Sequence, residues 1–125
     1  MVVLDTCALI ALSRQEVALS PKTLKLVENG AYLLSISFAE IACKIKAGKL
    51  DIGISPEHLF FEINQISNIT VVDTSVQNWL AAINLEWQQN KDPADRLIVA
   101  FAKELKIPIV TTDRKIKAFY KQVIW

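Results

Sequence analysis

The chain has 125 residues and a mass of 14.0 kDa, near the commonest size for a single domain. Hydrophobic residues make up 52% and charged residues 22%, which excludes a disordered or low-complexity chain and predicts a real core. Fourteen Lys and Arg face thirteen Asp and Glu for a formal net charge of +1, so bulk charge does not announce a nucleic-acid binder.

The opening "MVVLD" is a short apolar run ending in an acid, as a buried parallel strand ends at a sheet edge. "TCALIALS" after it reads as a short helix, and "SPKTLKLVENG" as a helix opened by Ser-Pro and closed by Asn-Gly. "YLLSIS" reads as a second strand. "SFAEIACKIKAGKL" is a helix with Phe38, Ile41, Ala42 and Ile45 on one face and Gly48 at its end. "SPEHLFFEINQI" is helical, "ITVVD" is an apolar strand, and "SVQNWLAAINLEWQ" (75–88) is an amphipathic helix. "KDPADRLIVAFAKEL" gives another helix, "IPIVTTD" another strand ending in an acid, "RKIKAFY" a short helix and "QVIW" a terminal strand.

Apolar strands alternating with helices predict an α/β domain over 1–125, with a mainly parallel central sheet and helices on both faces. In such sheets ligands sit beyond the carboxyl ends of the strands. The N-terminal apolar run is interrupted by Asp5 and lacks the plan of a signal peptide, and it is too short to span a bilayer. Cys7 and Cys43 form no CxxC pair; reduced thiols in a cytoplasmic protein are the expectation.

Each acid has a plain alternative as a helix cap. Asp92 makes a good N-cap, Pro93 a good first helical residue, and Asp95 suits the helix's positive end. Asp5 and Asp113 can each cap the helix that follows. Ser37-Phe38-Ala39-Glu40 fits a capping box, and Asp73 before Thr74-Ser75 is the best simple cap of the set. Yet Asp5, Glu40, Asp95 and Asp113 all fall at strand ends or first helical turns, which such a sheet can bring to one edge. Clustered carboxylates repel without a cation, and oxygen donors point to Mg²⁺ or Mn²⁺ rather than zinc. With four acids committed to a metal, fourteen basic residues would face nine acids, a balance of +5 suited to a polyanion.

Four motifs in order, "LDTCALI", "SFAEIACKIKAGKL", "NKDPADRLIVAFAKEL" and "IPIVTTDRKIKAF", resemble PIN-domain proteins, in particular the VapC-like toxins of toxin–antitoxin pairs. The resemblance covers the whole chain. It implies an acidic site made of Asp5, Glu40, Asp95 and Asp113, with Asp5 and Asp95 as the main metal ligands and Asp92 as an N-cap. It further implies a Mg²⁺- or Mn²⁺-dependent endoribonuclease, a cognate antitoxin and a homodimer. Close relatives often carry His where this chain has Asn90 and Cys7; neither difference removes a carboxylate. Lys44, Lys46, Lys49, Lys91 and Arg96 are candidates for RNA phosphates, although Lys46 and Lys49 also suit a solvated face and Arg96 could instead pair with an acid or an antitoxin segment.

Other chemistries are excluded on residues. His58 is the single histidine and sits in a helix as a surface residue, so a two-histidine nuclease cannot be built. One His and two separated Cys make no four-ligand zinc site, and no Gly-rich phosphate loop is present. A phospho-acceptor receiver domain needs an acidic pair after the first strand, where Asp5 stands alone. A non-catalytic PIN-fold module that binds RNA or protein and uses its acids only as caps is the alternative reading. Trp79, Trp87 and Trp125 are core or interface, with core expected for at least two.

Overall fold

Val2, Val3 and Leu4 are all buried, because strand β1 (Val2–Leu4) lies in the middle of a sheet covered on both faces. In the computed structural model, which describes residues 1–14 and 19–125, β1 lies between β2 (Ala31–Leu34) and β4 (Ile109–Val110). Strands β3 (Ile69–Val72) and β5 (Val123–Ile124) lie outside them. The order is β3-β2-β1-β4-β5 and every pairing is parallel. Leu4 stands opposite Leu33 on one side and Val110 on the other.

Successive strand residues point to opposite faces, and the two halves of the core follow that alternation. Val2, Leu4, Ala31 and Leu33 pack under α1 (Thr6–Arg14), α2 (Pro21–Glu28), α3 (Ile36–Lys46) and α4 (Pro56–Asn64), through Leu9, Val27, Ile41 and Leu59. Val3, Leu34 and Ile109 pack on the other side. There they meet α5 (Val76–Ile83), α6 (Pro93–Leu105) and α7 (Arg114–Phe119), through Ala82, Leu97, Ile98 and Ile116. Burying each such Leu or Ile fully stabilises the fold by about 1.5–3 kcal/mol.

The helix starts follow local chemistry. The Ser-Pro pairs work as expected: the Ser20 and Ser55 side chains accept the N–H of Thr23 and of His58. Asp92 caps α6 by accepting from Ala94 and Asp95. Two cap expectations fail. Ser75, not Asp73, caps α5, accepting from the Asn78 N–H. Ser35, not Ser37, precedes α3 and makes no side-chain cap bond, so the capping box does not form. Helix α5 also stops at Ile83 rather than running to residue 88. The chain leaves it because Trp87 turns into the core, 3% exposed and stacked on Phe119 at 4.8 Å.

From β1 the chain builds β2 and β3 to one side, while β4 and β5 lie on the other. The carboxyl ends of β1 and β4 therefore flank the point where strand order changes direction, the usual position of a ligand crevice. Asp5 follows β1 directly, and Thr111-Thr112-Asp113 follows β4.

Candidate active site

Asp5 is only 5% exposed and is held by its neighbours at both oxygens. The Thr6 N–H donates to Oδ1 at 2.8 Å and the Thr111 hydroxyl to Oδ2 at 2.6 Å. Cys7 Sγ lies 3.6 Å from Oδ2 and 3.3 Å from Thr111 Oγ1. Burial pushes the Asp5 carboxyl above its ordinary range; these hydrogen bonds pull it back, and the Asp113 charge pushes it up again.

Glu40 approaches from α3. Its Oε1 accepts from the Thr6 hydroxyl at 2.5 Å, and that hydroxyl also lies 3.0 Å from Ser37 Oγ. A hydroxyl has one proton; with it given to the carboxylate, the Ser37 hydroxyl supplies the other bond. Burial is the main cause of the raised Glu40 pKa, which the Thr6 bond and Lys44 lower and the charges of Asp92 and Asp5 raise.

Asp95 lies in the first turn of α6 and is partly buried. Asn90 Nδ2 donates to its Oδ2 at 2.8 Å. Burial above all, with Asp92, Asp5 and Asp113 adding to it, pushes its carboxyl up to about 6 against the lowering effect of Asn90. Asp113 caps α7, its Oδ1 accepting from Lys115 at 2.8 Å and Ile116 at 3.0 Å. Its own N–H donates to Thr111 Oγ1 at 3.0 Å.

The four acids named from sequence lie near one edge of the sheet, where the Asp5 charge acts on Glu40 and Asp95 and the Asp113 charge acts on Asp5 and Asp95. Among the described residues no three or more His, Cys, Asp and Glu side chains form a ready-made cage for a metal ion. Mg²⁺ or Mn²⁺ would need only one or two of these carboxylates in direct contact, with waters completing its shell. The mutual repulsion of these carboxylates is what a cation would relieve.

Arg96 corrects the reading of it as an RNA or acid contact. Its guanidinium donates to the backbone carbonyls of Ala82, Ile83, Leu85, Trp87 and Asn90, which leaves it engaged within the fold. Lys44, Lys46, Lys49 and Lys91 are exposed. His58 is exposed and paired with Glu62 along its own helix at 3.3 Å, as a surface residue should be. Sequence reasoning missed Thr6, Ser37 and Thr111, the hydroxyls that fix the acids. The signal for Thr6 and Thr111 was a Thr within two positions of each acid, in "LDT" and "TTD"; Ser37 carried none of that kind.

A sheet of this order with an acidic edge at its switch point defines an α/β domain with a polar ligand site. The chain belongs to the PIN domain family, which it matches over residues 2–122. Among curated protein sequences none matches it. Solved structures share the fold, two of them as follows. One is a toxin–antitoxin complex from Klebsiella pneumoniae, with a TM-score of 0.70 and 16% identity over 100% of this chain and 97% of that one. The other is a structure of FitAB bound to an IR36 DNA fragment, with a TM-score of 0.55 and 21% identity over 100% of this chain and 94% of that one. No helix among the described residues is long and apolar enough to cross a membrane.

Proposed function

We propose that this protein is a Mg²⁺- or Mn²⁺-dependent endoribonuclease acting as the toxin of a toxin–antitoxin pair, with residues 1–125 as one PIN unit. The observation that carries the reading is the meeting of Asp5, Glu40, Asp95 and Asp113 at the switch point, with Asp95 raised to about 6 by burial and its acidic neighbours. Asp5 and Asp95 would hold the cation, directly or through water; once bound, it would lower the pKa of the attacking water and offset the charge that builds on the phosphate. Glu40 or Asp113 orients that water and accepts its proton. Hydrolysis leaves a 5′-phosphate and a 3′-hydroxyl. Thr6 and Thr111 keep Glu40 and Asp5 aimed, and Lys44 and Lys91 meet RNA phosphates.

The neighbour described as a toxin–antitoxin complex supports an antitoxin partner. An apolar groove of about 420 Å³, between α1, α2 and α4 and lined by Leu12, Leu24, Val27, Leu59 and Ile63 with Glu28 and Glu62 beside them, suits an amphipathic antitoxin segment carrying basic residues. A homodimer would cover the exposed stripe Val76, Trp79, Leu80 and Ile83, four residues at helical spacing on α5. Two free thiols suit the reducing cytoplasm.

The test is cleavage of structured RNA, including tRNA, by wild type and Asp95→Asn with Mn²⁺, Mg²⁺ or EDTA. Wild type cuts only with metal and the folded variant does not. Equal cutting by both would assign the activity to a contaminant and leave the protein a PIN-fold binding module.

A further inference from the structure

Arg96 gives all its donors to backbone. Nε donates to Ala82 O at 2.9 Å, Nη1 to Trp87 O at 2.5 Å and Asn90 O at 2.8 Å, and Nη2 to Ile83 O at 3.2 Å and Leu85 O at 2.6 Å. Five N–H groups in a fixed fork meet five carbonyls of residues 82–90, including those of Ala82, which also accepts from the Leu85 N–H at 3.4 Å, and Ile83 at the end of α5. The far end of that segment is Asn90, 3% exposed. Its Oδ1 accepts from the Asp92 N–H at 2.9 Å, and its Nδ2 donates to Asp95 Oδ2 at 2.8 Å. A guanidinium rooted one residue after Asp95 therefore holds the segment that returns to grip the Asp95 carboxylate.

We infer that Arg96 is a positioning residue that acts through residues 82–90 and the Asn90 carboxamide to fix the Asp95 carboxylate for a cation. The inference rests on the metal-site reading above. Arg96 touches neither Asp95's carboxylate nor any other acid of the cluster through its hydrogen bonds; its effect is relayed. Lysine cannot replace it, because one ammonium with three donors cannot reach five carbonyls spread along a loop.

The experiment measures Mn²⁺ affinity and backbone amide exchange in wild type, Asn90→Ala, Arg96→Lys and the double variant. Asn90→Ala weakens Mn²⁺ binding by about tenfold, the size expected for a partner that orients a ligand, with exchange over residues 82–87 unchanged. Arg96→Lys speeds exchange over residues 82–90 and weakens Mn²⁺ binding by a similar factor. The double variant binds no more weakly than Arg96→Lys alone, since both lie on one route. Wild-type Mn²⁺ affinity in Arg96→Lys despite a loosened loop overturns the inference, and so do additive losses. If Arg96→Lys does not fold, Asn90→Ala decides: wild-type affinity overturns, a tenfold loss supports. A wild type that binds no Mn²⁺ removes the metal-site reading and this inference together, whereas binding by wild type and variants alike removes the inference alone.

Discussion

Thr111 joins the two acids at the ends of β1 and β4: its hydroxyl donates to Asp5 Oδ2 at 2.6 Å while its oxygen accepts the Asp113 N–H at 3.0 Å. The residue is 2% exposed, so water cannot take over either role. Asp5 and Asp113 are thereby set relative to each other by one side chain, and the pair occupies the switch point as a unit.

Thr111→Val keeps the shape and removes the hydroxyl. It leaves the Asp113 N–H and Asp5 Oδ2 without that partner in a buried place, which costs about 1–3 kcal/mol. Urea unfolding at neutral pH measures that loss. RNA cleavage falls in the same variant because Asp5 is no longer aimed.

Asp95→Asn stabilises the metal-free protein at neutral pH. The Asp95 carboxyl is raised from 3.8 to about 6, so between those values the folded state holds a proton that the unfolded state has released. Stability from this group is therefore full below 3.8 and falls as pH rises toward 6. The amide cannot ionise and escapes the loss. Unfolding free energies from pH 4 to 7 should diverge in favour of the variant. A carboxylate acting as helix-dipole partner would give the opposite sign, a loss of about 0.3–1 kcal/mol on substitution.

The two thiols differ in reactivity. Cys43 is exposed, whereas Cys7 is half-buried and its pKa is raised by burial and by the Asp5 charge. The thiolate is the reactive form, so an alkylating reagent at pH 8 modifies Cys43 at least about tenfold faster. Peptide mass mapping of a time course reads this directly, and equal rates would contradict the placement of Cys7 beside Asp5.

Ile83→Glu tests the α5 stripe. Ile83 and Val76 are 66% and 69% exposed, so a charge there leaves the monomer fold intact. Sedimentation should show wild type as a dimer and Ile83→Glu as a monomer with an unchanged melting temperature at low concentration. A monomeric wild type contradicts the assignment.

Much of this arrangement is legible in the sequence, for reasons that also explain the misses. Apolar runs ending in Asp5 and shortly before Asp113 announce parallel strands whose carboxyl ends carry acids, and Ser-Pro and Asp-Pro pairs announce helix starts through local chemistry alone. Glu40 shows the limit. Ser37 and Glu40 have capping-box spacing, but α3 begins at Ile36, and the carboxylate turns instead to Thr6, thirty-four positions away. Arg96 shows it again: a cation next to Asp95 in sequence reads as a partner for acids or RNA, yet backbone carbonyls at and beyond the end of α5 claim it. Local pattern names the acids; which hydroxyls and amides hold them is decided by contacts between distant strands and helices.

The proposed cation site joins Asp5, Glu40, Asp95 and Asp113. Adding substoichiometric Mn²⁺ to the ¹⁵N-labelled protein tests it without RNA or contaminating nuclease, because the paramagnetic ion broadens amides near it. Signals at residues 5–7, 37–41, 94–96 and 111–114 should be lost selectively, with Asp95→Asn restoring them. Broadening spread over surface acids such as Glu57 and Glu62, or an Asp95→Asn pattern identical to wild type, would contradict it.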